Sequence, residues 1–120
     1  MGAFYMKKII LIGLIFFPLL ALAKPVQPVS DSEHERNCRN TMEIANVIMQ
    51  QKQNGMPLMK ALEANDYAFK KNPDKNMQKI INLITRDAYE QPSYSTPSIK
   101  EEQLNEFSAK YYLGCMAMYE

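Results

Sequence analysis

The residues with the most chemical potential in this chain are Cys38, Cys115 and His34, the last being its single histidine. The cysteines lie far apart, so neither a Cys-x-x-Cys redox pair nor a Cys-x-x-Cys-His haem attachment is present. A metal centre needs more convergent ligands than two distant cysteines and a single histidine provide. His34 stands among Glu33, Glu35 and Arg36 at an expected helix start. General-base work would need it held beside a nucleophile or an orienting carboxylate. The expectation is a solvated, non-catalytic histidine. Gly-x-Ser-x-Gly and His-Glu-x-x-His are also absent. The residues therefore predict no enzyme, no cofactor and no metal.

Methionine and tyrosine are the next candidates. Met56-x-x-Met59 and Met116-x-Met118 have spacings compatible with copper(I), but Met42, Met49, Met77 and Met118 already fit core stripes at helical spacing. Core packing is the preferred reading of these thioethers. A His/Met-ligated haem is disfavoured because His34 lies at the end of its helix. Tyr89, Tyr94, Tyr112 and Tyr119 are not all absorbed by those stripes, and tyrosine is enriched at protein interfaces. These four form the candidate interface, against the alternative of scattered surface tyrosines. Glu101, Glu102 and Glu106 with Lys110 read as helix-dipole and i,i+4 decoration rather than a catalytic pair.

What positions these residues depends first on the compartment. Lys7 and Lys8, the uncharged run Ile9–Leu20 and Ala21-Leu22-Ala23 have the order of a secretory signal. The run is shorter than the roughly twenty residues a spanning helix needs. Residues 1–23 are expected to be a cleaved signal peptide, with an uncleaved anchor as the lesser alternative and Met6 as a second possible start. Removing 23 of the 120 residues leaves 97, one small domain. The mature balance is 14 basic residues less Lys7 and Lys8 against 13 acidic ones, a net charge near −1. That argues against nucleic acid, which wants a basic stripe, and against binding to anionic lipid. No stable membrane anchoring is expected after signal cleavage. In an exported chain the even pair Cys38 and Cys115 reads first as a disulfide.

The elements follow from punctuation and periodicity. Residues 24–31, with two prolines, read as a flexible leader, and 32–120 as a single helical domain. Ser32 with Glu35 predicts a capping box opening a helix that Asn54-Gly55 stops. Pro57 suits the first turn of a second helix with Leu58, Ala61 and Leu62 on one face, while Asn65–Lys71 is ambiguous. Asn72 or Asp74 caps a third helix, whose stripe is Met77, Ile80, Ile81, Ile84 and Ala88 and which ends near Tyr89 before Pro92. Gln91–Ser98 is a surface connection. A last helix opens at Ser98 with Glu101, or alternatively at Thr96-Pro97, and carries Leu104, Phe107, Tyr111, Cys115 and Met118.

The first and last stripes can be laid against each other. An antiparallel register placing Cys38 opposite Cys115 sets Met42 against Tyr111, Ala45 against Ser108 beside Phe107, and Met49 against Leu104. Core faces core for about three turns, with Gly114 offering a close backbone approach. The predicted fold is all-α: a small antiparallel bundle of about four helices, its first and last joined by a disulfide.

Cys38, Ala45, the Gly55-Met56-Pro57 turn, Ala88-Tyr89 before Pro92, Phe107, Tyr111 and Cys115 together give the chain a resemblance to a broad group of small exported bacterial helical proteins. That resemblance covers Cys38 to Cys115 and implies a periplasmic or secreted location and a disulfide; it brings no catalytic residues. In architecture alone the cysteine pair is also similar to small periplasmic acid-stress chaperones. Two functions are expected from all this. The first is a non-enzymatic module binding another envelope or extracellular protein, of the inhibitor, immunity or accessory type. The alternative is a chaperone that exposes apolar helix faces in acid.

Overall fold

The structure, a computed structural model, describes residues 30–118. The expected signal peptide, the leader up to residue 29 and Tyr119 lie outside the described residues. Within them are four α-helices and no strand: α1 Asp31–Gln53, α2 Leu58–Lys71, α3 Lys75–Glu90 and α4 Pro97–Ala117. The chain divides between Glu33 and His34, and the packing below is that of residues from His34 onward.

The helix ends show which local signals govern. The Ser30 hydroxyl, not that of Ser32, accepts the Glu33 amide at 3.1 Å. Helix α1 therefore begins at Asp31, one residue inside the expected leader. At its other end the Met56 amide donates to the Gln51 carbonyl and the Gly55 amide to that of Lys52, both at 3.0 Å. This Schellman closure holds Gly55 at φ +93°, which glycine adopts without steric cost. Pro57 stands just before α2 rather than in its first turn, and the ambiguous Asn65–Lys71 is helical throughout. Of the two candidate caps for α3, Asp74 serves, accepting from the Asn76 and Met77 amides at 2.9 and 3.2 Å. Helix α4 opens at the alternative site, with Thr96 as cap and Pro97 in the first turn. There the fixed φ of proline outweighs the Ser98 capping box.

The core is compact and drawn from three helices. Ala45, Ile48 and Met49 of α1, Ile84 and Ala88 of α3 and Phe107 of α4 are buried together, flanked by Ile44, Ile81, Tyr89, Leu104 and Tyr111. Helix α2 buries only Ala61; Leu58 and Leu62, expected on the same face, are 41% and 37% exposed. One position of each of two other stripes also fails to bury, Ile80 of α3 being 36% exposed and Met118, the residue that caps α4, 78% exposed.

Helices α1 and α4 run antiparallel in the expected register. Cys38 and Cys115 form a disulfide with Cα atoms 5.5 Å apart. Further along, Asn46 donates to the Ser108 hydroxyl at 3.0 Å and Gln53 to the Lys100 carbonyl at 2.8 Å. Gly114 does not supply a close approach, because a Cβ built there meets nothing within 4 Å. The disulfide geometry is reached without it.

Candidate functional site

Two polar contacts between helices have the same construction. Ser108 is buried in α4, donates to the Leu104 carbonyl of its own helix and accepts from Asn46. Thr85, fully buried in α3, donates to the Ile81 carbonyl and accepts from Asn65 of α2 at 3.0 Å. Each hydroxyl thus satisfies both roles inside the bundle. Neither pair was anticipated, since a small hydroxyl within a core stripe reads as tolerated rather than required.

Two carboxylates hold α4 to its neighbours. Asp87 of α3 accepts from Lys110 Nζ at 2.7 Å, Tyr111 Oη at 2.6 Å and Gln91 Nε2 at 3.0 Å. Partial burial works against its ionisation, but the hydrogen bonds from Lys110, Tyr111 and Gln91 outweigh it and lower its pKa. Tyr111 is raised by its burial and then by the bond to Asp87. Glu35 of α1 accepts from Arg39 at 2.8 Å and from the Tyr112 hydroxyl at 2.8 Å, and those two bonds lower its pKa. Lys110 therefore does not make the i,i+4 pair with Glu106 that the sequence suggested; it reaches across to α3. Lys52, whose pKa partial burial lowers, donates to the carbonyls of Gln91 and Pro92 and so closes the end of α3.

The described candidate interface tyrosines, Tyr89, Tyr94 and Tyr112, each have a separate setting. Tyr89 is half-buried and its hydroxyl donates to the Met56 carbonyl at 2.6 Å. Tyr112 is half-buried on Glu35. Tyr94, in the α3–α4 connection, is 43% exposed. His34 differs from expectation: it is 7% exposed and packs on the disulfide, Nε2 lying 3.8 Å from Cys38 Sγ. That sulfur carries no hydrogen, so in this contact only the imidazole can donate. The signal for its burial was the four-residue spacing to Cys38, which puts both on one helix face. Among the described residues no three His, Cys, Asp or Glu side chains converge as a metal group. Met56 and Met116 are half-buried, whereas Met59 and Met118 are exposed.

One face of α1 carries an apolar relief. Val47 is 52% exposed and stands between two open grooves. One, of about 460 Å³, runs toward α4 past Met42 and Ala109. The other, of about 540 Å³, runs toward α2 past Ile44, Ile48, Ala64 and Ala68. Glu43 lies on both, with Asn40, Asn46 and Gln51 around the rims. A ridge with an apolar groove on each side can take up another polypeptide.

No protein-family model, curated protein or solved structure matches this chain. Among the described residues no helix is long and apolar enough to cross a membrane, and the disulfide is consistent with a location outside the cytoplasm.

Proposed function

We propose that this protein is an exported, non-enzymatic binding module of the bacterial envelope, acting in the periplasm or after secretion on another envelope or extracellular protein. The observation that carries the reading is the Val47 ridge between its two grooves. An apolar centre with a polar rim that carries a single charge, Glu43, is the composition of a protein-binding patch. The test is capture from envelope extract by the oxidised protein, run beside Val47→Asp, whose exposed position leaves the core untouched. One protein retained in constant ratio and lost with Val47→Asp supports the reading. Nothing retained, or equal retention by the variant, overturns it.

The chaperone reading has its own support in Asp87. A carboxylate whose folded pKa is lowered contributes stability at neutral pH, and that contribution disappears as pH falls through the folded value. Protonation, at a pH below the ordinary aspartate range, therefore weakens the contacts to Lys110, Tyr111 and Gln91 together and loosens α4 from α3. Asp87→Asn should flatten the acid limb of the stability curve, measured by urea unfolding at stepped pH. A chaperone would also suppress client aggregation at acid pH, with the Asp87→Asn variant acting at higher pH than the parent.

A further inference from the structure

The two sulfurs of the Cys38–Cys115 bond have unequal surroundings. Cys38 is fully buried in α1, and His34, itself 7% exposed, sets Nε2 3.8 Å from its Sγ. Cys115 is half-buried in the last turn of α4. Leu113, Gly114, Ala117 and Met118 around it are exposed, and a Cβ built on Gly114 meets nothing within 4 Å. A thiolate cleaves a disulfide by attacking one sulfur, so access decides which sulfur is attacked and the acidity of the leaving thiol helps set the rate. Approach to Cys38 would pass through packed side chains, whereas Cys115 is reached from solvent. The leaving sulfur is then that of Cys38. Burial alone makes it a poor leaving group, because an enclosed site disfavours the charged thiolate. A hydrogen-bond donor aimed at the same sulfur offsets this, and the His34 imidazole is one.

We infer that Cys115 is a site of S-thiolation by small thiols, with Cys38 leaving as a thiolate that the His34 N–H stabilises. The reagent thiolate attacks Cys115 Sγ. Its new bond to that sulfur forms as the Cys115–Cys38 bond breaks, and the electron pair and negative charge pass to Cys38 Sγ. The product is a mixed disulfide on Cys115 and a thiolate on Cys38. A second reagent thiolate, attacking the reagent sulfur of the mixed disulfide, releases Cys115 and leaves the reagent as its own disulfide. Two reagent thiols thereby supply the two electrons that reduce the bond. The Tyr112 hydroxyl donates to Glu35 at 2.8 Å, and these residues stand three positions before Cys115 and Cys38. The same ends of α1 and α4 are therefore tied a second time, which favours return of the Cys38 thiolate to Cys115 once the thiol is withdrawn. This is a reversible modification site, and it does not depend on the Val47 face or on the binding-module reading.

The oxidised protein is treated with reduced glutathione under native conditions and quenched in acid at stepped times. The adduct is mapped by mass spectrometry after pepsin digestion at low pH. At early times glutathione is expected on Cys115 in large excess over Cys38, with a rate that subdenaturing urea leaves unchanged. Adducts shared equally, adducts mainly on Cys38, or reaction only as urea opens the fold would overturn the inference. The role of His34 is read from His34→Leu and His34→Phe, two variants of different shape that both remove the donor. Either should slow the exchange about three- to tenfold. A merely structural histidine gives the opposite sign, since loosened packing around Cys38 speeds attack on the bond. A rate unchanged or raised in whichever variant folds overturns the assignment of His34, and the adduct map of the parent decides the site without any variant.

Discussion

At the scale of single residues, the contacts that join the helices are made largely by side chains with more than one obligation. Asp87 collects three donors, and Ser108 and Thr85 each give one hydrogen bond and take another. Gly114 has none. It sits inside α4 with open space where a Cβ would go, so the helix bears the backbone-entropy cost of glycine with no packing return. Gly114→Ala is therefore expected to raise stability by about 0.5–1 kcal/mol, read as a higher urea midpoint at constant m. A lower midpoint would mean that the position does not tolerate a Cβ, against the open space found there. The same residue shows one limit of reading the sequence. A glycine next to a cysteine suggested close backbones, but Cα atoms 5.5 Å apart are reached from ordinary helix geometry. His34 shows the opposite error: its charged neighbours suggested solvent, while its spacing from Cys38 placed it on the buried face.

At the scale of elements, the stripes of α1, α3 and α4 were legible because several apolar residues repeat on one face of each, and one register between α1 and α4 satisfied all their pairings at once. Helix α2 was legible only in part. Its apolar residues do not share a single buried face, and Tyr67, 62% exposed, contributes none. The grooves beside Val47 were not legible, because they are made by the spacing between helices and no one sequence segment encodes them. The construction of α2 has a dynamic consequence. It buries one alanine, has no side-chain cap at Pro57 and is tied to α3 by hydrogen bonds from Asn65 to Asn82 and Thr85. Low burial means a low free energy of local opening. Amides of α2 should thus exchange with deuterium through a sub-global opening, while those of α1 and α4 near Ala45 and Phe107 wait for global unfolding. Native-state hydrogen exchange across a urea series decides this. Convergence of all four helices on one isotherm would show that α2 is held as firmly as the rest.

At the scale of the molecule, a core this small has to be set against the chain entropy lost on folding, so a covalent constraint on the unfolded chain counts for much. The Cys38–Cys115 bond spans 77 residues of sequence, so it restricts nearly the whole domain in the unfolded state. In the chain-entropy model a loop of that length is worth roughly 4–5 kcal/mol, a large share of the 5–15 kcal/mol that keeps an ordinary domain folded. The prediction is a loss of about that size when Cys38 and Cys115 are both replaced by alanine, measured by urea unfolding of the oxidised parent and the double variant. The m-value should rise in the variant, because an unlinked unfolded chain exposes more surface. Cys38 is fully buried, so its replacement also removes packing around the sulfur. Reduction of the parent separates the two effects, since it opens the loop while leaving both sulfur atoms in place. If reduction costs less than about 1 kcal/mol, helix packing and the Asn46–Ser108 and Gln53–Lys100 contacts already hold α1 to α4. If it costs the full amount, the bond supplies a large share of the stability that holds α1 against α4, and the fold is markedly weaker wherever the bond is reduced.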